Sequence, residues 1–305
     1  MWKRLQLAAY VSMVLLLAAP AVAEPGAYFI AIHCDPHFAS DDDWDALVAL
    51  VEAADLHNQK LTIQLNPQWS AVIGELDSGR AVQIVEWVAD GHEIGGHHHT
   101  VDHAGAWDGY AKASPVEIPK PFRWPGYLGD MQDYMDDLHA MLPEGIPVLT
   151  ISSKDYDFPF GAPFQTGGSY STASPTDSSA APIEKLIEGQ TVWNLKHAAL
   201  IAGGSWQLAG MMAAFDAAGP DVVFGATVHP QDYYPGYEGP MDTWFDFLAS
   251  RDPDGTRSRT AGAILEDHVS SIQVLPLASS FSLMAQGLTL LGAGLFYLRK
   301  GRGSP

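Results

Sequence analysis

An alternation near the start of the chain constrains its fold most. Three short apolar runs, "AYFIAI" at 27–32, "LTIQL" at 61–65 and "HEIGG" at 92–96, are separated by two stretches of helical periodicity. Apolar runs of that length read as buried strands. "SDDDWDALVALVEAADLHNQK" offers Ser40 as a helix N-cap with acids in the first turn, and Trp44, Leu47, Val48 and Val51 recur at three-to-four spacing. "DSGRAVQIVEWVADG" sets Val82, Val85 and Val88 on one face and ends on Gly91, which suits a C-terminal cap. Strand–helix–strand–helix–strand dictates parallel strands with right-handed crossovers, an α/β fold. In such sheets and barrels chemistry gathers at the strand C-terminal ends.

Those ends are chemically loaded. His33, Asp35 and His37 follow the first run, Asn66 the second, and "GHEIGGHHHTVDH" (91–103) spans the third with five of the twelve histidines in the chain. A later apolar run, "DVVFGATV", ends at His229. His99 and His103 are four apart; on one helical turn they face the same way, as two ligands of one metal must. A catalytic site of that kind takes three protein ligands and keeps one position open, and Asp35 is the candidate third ligand. His97 rivals His99 because extra residues separate strand and motif. On an extended strand His33, Asp35 and His37 point one way, so His33 and His37 are alternates too, while Cys34 points to the other face as a small buried hydrophobe. Two His and one Asp suit Zn, with Co or Fe(II) as alternatives.

The stretch resembles the NodB-homology polysaccharide deacetylases of carbohydrate esterase family 4, in which G-H-E-I-G leads into H-[S/T]-x-x-H. The resemblance spans roughly residues 27–270. It implies a distorted (β/α) barrel with a metal site at the strand C-terminal ends, ligands Asp35, His99 and His103, His229 as general acid, and Arg123 in "FRWPGY" orienting the catalytic Asp. The implied reaction is metal-assisted hydrolysis of an N-acetyl group, a carboxylate taking a proton from water and His229 giving one to the leaving amine. The chain departs from the pattern in one place that matters. The family's first motif is an Asp-Asp pair, base and ligand; here it is His33-Cys34-Asp35-Pro36-His37, with a single carboxylate. A non-catalytic glycan-binding relative and an exported metal-binding protein are therefore the alternatives to an enzyme.

The rest of the chain supplies the setting. Lys3 and Arg4, an apolar run and Ala21-Val22-Ala23 read as a secretory signal peptide over 1–23. The body then runs over 24–273. Leu277 to Leu298 is uncharged and one bilayer long, and Arg299, Lys300 and Arg302 follow it. This end, 274–298 with a basic tail over 299–305, is similar to a PEP-CTERM-type sorting signal, which implies a sorting protease; failing that, it is a membrane anchor. The expected place is periplasmic, cell-surface or extracellular, and the expected partner an acetylated polysaccharide. A formal net charge of −20 disfavours nucleic acid. In the middle, "MQDYMDDLHAML" reads as helix, "IPVLTI" as strand, 158–182 as a long loop, and 182–204 as partly helical. His57, His139, His197 and His268 fall on expected helices and read as structural.

Overall fold

A computed structural model describes residues 24–103, 107–113, 126–167, 174–202 and 204–273. The expected leader, the C-terminal apolar run with its basic tail, and Arg123 lie outside the described residues. The chain divides into a unit ending at Leu265 and one beginning at Glu266. In the second, the described residues, 266–273, are all helical. No helix among the described residues is long and apolar enough to cross a membrane.

The first unit is a mixed α/β fold around a parallel sheet. Its strands are β1 (Ala27–His33), β2 (Leu61–Leu65), β3 (Glu93–His97), β4 (Thr150–Ser152), β5 (Phe164–Thr166), β6 (Ser179–Ala180), β7 (Ile183–Ile187), β8 (Gln190–Leu195), β9 (Ala198–Ala199) and β10 (Val223–Val228). The order is β6-β10-β1-β2-β3-β4-β5-β8-β7, parallel from β10 through β8, with β6 and β7 antiparallel at the flanks. β9 pairs in parallel with β10, at the far end of that path. Only Lys196 and His197 separate β8 from β9. One bent stretch of chain thus borders β5 on one side and β10 on the other, and the sheet is nearly closed into a barrel. Parallel strands covered on both faces need continuous apolar runs, and β1 is buried from Tyr28 to His33.

The helices that cover the sheet are α1 (Asp41–Leu56), α2 (Gly79–Ala89), α3 (Met131–Ala140), α4 (Leu208–Ala217) and α5 (Gly239–Arg251); α6 (Ala261–Gln273) starts in this unit and runs into the second. Ser40 caps α1 by accepting the Asp43 N–H at 3.3 Å, which satisfies one of the donors a helix start leaves unpaired. α1 buries Trp44, Leu47, Leu50, Val51 and Ala54, and Trp44 stacks on Trp87 of α2 at 5.3 Å. Gly91 takes φ 92° just beyond α2, the left-handed cap position.

Five expectations are corrected. α2 buries Ala81, Ile84 and Trp87, and leaves Val82 and Val85 half-exposed; the indole supplies most of the apolar area, so the helix turns to seat it. The described residues of 182–204 are not helical: β7 and β8 form a hairpin whose turn residues Glu188 and Gly189 sit at φ 51° and 82°, the pair of positive angles that two-residue hairpins use. The expected strand at 146–151 shortens to Thr150–Ser152, and the expected loop contains β5 and β6. His99 to His103 is not a helical turn; it closes as an isolated turn through His103 N–H to Thr100 O at 2.9 Å.

Candidate metal centre

The motif strand explains itself residue by residue. His92 Nδ1 accepts the Leu61 N–H at 3.0 Å and its Nε2 meets Asp55 at 3.2 Å, so His92 ties β3 to β2 and α1. Glu93 is buried inside the N-terminal end of the barrel. It accepts the hydroxyls of Thr150 at 2.6 Å and Thr62 at 3.3 Å, and the Gly262 N–H at the start of α6 at 2.8 Å. A Cβ on Gly95 would lie 2.6 Å from Thr150 Oγ1, and one on Gly96 would lie 2.6 Å from Ile151 Cδ1 and 2.9 Å from the Tyr134 hydroxyl. The two glycines are what lets β4 and α3 close on β3. Strand alternation then carries the inward face from Glu93 through Gly95 to His97.

At the other end of the barrel three ligand-type side chains converge. Asp35 Oδ1 lies 3.0 Å from His99 Nε2 and 3.2 Å from His97 Nε2, and the two nitrogens are 2.7 Å apart. All three residues are buried, and the three atoms lie within 4.8 Å of one another. The Trp69 indole N–H donates to Asp35 O at 3.0 Å and Cys34 N–H to Gln64 O at 3.0 Å, which fixes the loop that carries Asp35. Despite the short distances, Asp35 Oδ1 has no hydrogen-bond partner of acceptable geometry among the described residues. Burial and the neighbouring His99 push His97 down to about 3, so it is the neutral ligand form at ordinary pH. Burial alone would raise the Asp35 carboxyl, but His97 and His99 hold it well below the usual carboxylate range. This donor set fits a divalent transition metal.

The other expected residues fall around this trio. His103 stacks face to face on His99, ring centroids 3.8 Å apart, and is not among the three whose ligand atoms converge; burial and His99 push it down to about 4. His229 Nε2 is 3.8 Å from Asp35 Oδ1, and its side chain is 31% exposed. Asp232 Oδ2 accepts the His229 N–H at 2.9 Å and lies 3.2 Å from Nδ1. Burial opposes charge on His229, but Asp232 and Asp35 raise its proton affinity above that of an ordinary histidine. His33 lies under the trio, stacked on His97 at 4.0 Å. His37 does not share its direction: β1 stops at His33, Pro36–Phe38 forms a 3-10 turn, and the exposed His37 packs on Phe38.

Sequence reasoning missed three residues. Asp108 is fully buried and its Oδ2 accepts from the His99 N–H at 2.9 Å, from Asn66 Nδ2 at 2.9 Å and from His98 Nδ1 at 2.8 Å. It fixes the start of the motif loop. Burial opposes the charged form of His98, but Asp108 and Asp157 hold its pKa up to about 9, so His98 is a buried cation between two acids rather than a ligand. Asp232 was signalled by its place three residues after His229, the spacing of a capping pair. His197 lies on the β8–β9 connection rather than on a helix, edge-on to His33 at 5.1 Å.

No protein-family model matches the chain, and no curated protein matches it. Among solved structures it is similar to one from Mycobacterium smegmatis, provisionally described as a polysaccharide deacetylase. The TM-score is 0.47 and the identity 13%, over 85% of this chain and 95% of that one.

Proposed function

We propose that the protein is an exported, metal-dependent hydrolase that removes acetyl groups, N-acetyl foremost, from an envelope or extracellular polysaccharide. The observation that carries this reading is the convergence of Asp35, His97 and His99 at the strand C-terminal ends with the His229–Asp232 pair 3.8 Å from the carboxylate. The likeness of "GHEIG" and "HTVDH" to the NodB motif supports it. A divalent ion held by the trio, zinc in the first instance, would polarise the acyl carbonyl and acidify a water.

The chain's own groups do the rest. His229 faces the centre with Nε2 while Asp232 anchors Nδ1, so a proton on Nε2 is placed for the leaving amine. No second carboxylate joins the trio among the described residues, so Asp35 would have to serve both as a ligand and as the acceptor of the water's proton. His99 is fixed through its own N–H by Asp108, and His103 covers its outer face. Arg123 as an orienting residue, and the leader and C-terminal anchor as the means of export, extend the same proposal from sequence alone.

The test is acetate release from N-acetylglucosamine oligomers by the purified zinc-loaded protein. Release that a chelator abolishes, zinc restores and His99→Ala lacks is the expected result. One bound ion with no acetate from any acetylated glycan would favour a glycan-binding relative, the reading to which the missing Asp-Asp pair points. A mature N-terminus at Glu24 in the exported fraction would support export; an intact Met1 in the cytoplasm would overturn it.

A further inference from the structure

Under the trio the barrel holds a group of polar side chains that the reaction does not use. His33 Nε2, His97 Nδ1, both ring nitrogens of His197, Thr227 Oγ1 and Gln64 Oε1 are all buried without a partner among the described residues. Register places them together. His33 pairs with Gln64 across β1 and β2, and Ala31, two residues before His33 on the same face, pairs with Thr227. Gln64 Nε2 reaches across to Thr166 Oγ1 at 2.8 Å, which leaves its carbonyl over. His197 enters from the β8–β9 connection, which presses so close to β10 that a Cβ on Gly225 would lie 2.2 Å from Lys196 O. The rings form a column, with His197 edge-on to His33 at 5.1 Å and His33 stacked on His97 at 4.0 Å.

Native interiors strand few polar atoms, and a cluster of them marks a bound group. The chemistry says which. Among the described residues neither the His33 nor the His197 imidazole has a carboxylate in hydrogen-bond reach, and each offers one donor and one acceptor nitrogen. Thr227 also donates and accepts, and Gln64 accepts. Nothing in this set neutralises an anion. A second metal is not indicated either, since among the described residues the trio is the group whose ligand atoms converge. A neutral ligand with matched donors and acceptors is water, which buried polar groups of this kind ordinarily hold.

We propose that His33, His197 and Thr227 hold ordered water beneath the trio, and that this water is the hydrogen-bond partner of His97 Nδ1 when the trio takes a metal. Metal-ligating histidines need such a partner on the second nitrogen to fix tautomer and ring plane. His98, the residue after the strand, has Asp108 beside its Nδ1; among the described residues no protein group plays that part for His97 Nδ1. His33 and His197 are thus positioning residues that act through His97. The inference rests on the metal-binding part of the proposed function and not on its substrate.

The test is zinc affinity by chelator competition on the full-length protein. His197→Leu should weaken binding by about 10–100-fold, Thr227→Val less and in the same direction, and His197→Gln, which returns a donor and an acceptor, should recover most of the loss. His197→Leu within about twofold of wild type, or His197→Gln as weak as His197→Leu, would overturn the proposal. Should His197→Leu fail to fold, the near-isosteric Thr227→Val decides, and an unchanged affinity overturns the proposal. A wild-type protein that binds no zinc sinks both this inference and the metal reading; one that binds zinc tightly but releases no acetate sinks only the deacetylase reading.

Discussion

The two ends of β3 each hold a buried carboxylate, and the two are treated in opposite ways. Glu93, at the N-terminal end, is met by two threonine hydroxyls and a helix N-terminal N–H. Asp35, at the C-terminal end, has two imidazole nitrogens within 3.2 Å and no hydrogen-bond donor of acceptable geometry among the described residues. A buried acceptor that is satisfied helps hold a fold together, whereas one that is left unsatisfied destabilises the empty protein and is ready to be satisfied by a ligand. Five residues of strand therefore join a structural end to a reactive one. The difference teaches that burial alone does not identify the site; the state of the hydrogen bonds does.

The sharpest way to break this comparison is to remove one group from each end. His99→Ala should reduce acetate release to background while the metal-free protein still folds. Activity assays and urea unfolding in chelator check the two halves. Withdrawing the proton donor should cost less. His229→Ala should lower kcat by about 10²–10⁴-fold, the ordinary range for a general acid, while zinc stoichiometry by elemental analysis stays at wild-type level. Glu93→Ala should do the reverse of both. It strands Thr62, Thr150 and the Gly262 N–H, at about 1–3 kcal/mol for each buried donor left unmet, and so should destabilise by at least about 3 kcal/mol with zinc affinity within a factor of a few of wild type. Loss of zinc binding in Glu93→Ala, at temperatures where it is folded, would show that the two ends are not independent.

Metal should stabilise from one end only. Zinc at 100 times its Kd should raise wild-type stability by about 2.7 kcal/mol, seen as a higher Tm, and should do so equally in Glu93→Ala. It should do little for His99→Ala. An equal gain in His99→Ala would place the ion somewhere other than the trio.

The structural end was legible in the sequence to the extent that it depends on local period. β1, β2, β3, α1 and α3 follow from apolar runs, caps and helical spacing, all properties of contiguous residues. His229 and Asp35 both follow strand C-terminal ends, which parallel strands put together, and the two side chains lie 3.8 Å apart. What the sequence could not show depends on closure. His197 reaches His33 only because the chain bends between β8 and β9, and the hairpin that leads there looks helical when Glu188-Gly189 is not read as a turn. His97 replaces His103 in the converging trio because the motif is a turn and not a helix, so spacing by four loses its meaning. Asp108 sits five residues past the motif with no periodic signal; three separate bonds reveal it only once the loop is folded. The α2 face was misjudged for a similar reason. Counting valines ignores that one indole buries more surface than any of them.

The smallest predicted effect refines the structural end itself. Glu93→Gln keeps one oxygen acceptor but puts an amide where the carboxylate accepts Thr62 or Gly262, so at neutral pH it should cost about 1 kcal/mol. Its pH dependence carries the information. Burial pushes the Glu93 carboxyl above its usual value of 4.5, against the pull of Thr150, Gly262 and Thr62. A group whose proton is bound more tightly in the folded state adds stability that is complete below the unfolded pKa and is lost as pH rises through the folded one. The wild-type advantage over Glu93→Gln should therefore be larger at pH 4 than at pH 7, in urea unfolding of the zinc-free proteins. An advantage that grows from pH 4 to pH 7 would mean that the threonines and the α6 N-terminus more than offset burial. Glu93 would then be held as a stabilised anion, the same charge state as the Asp35 carboxylate at the opposite end of the barrel.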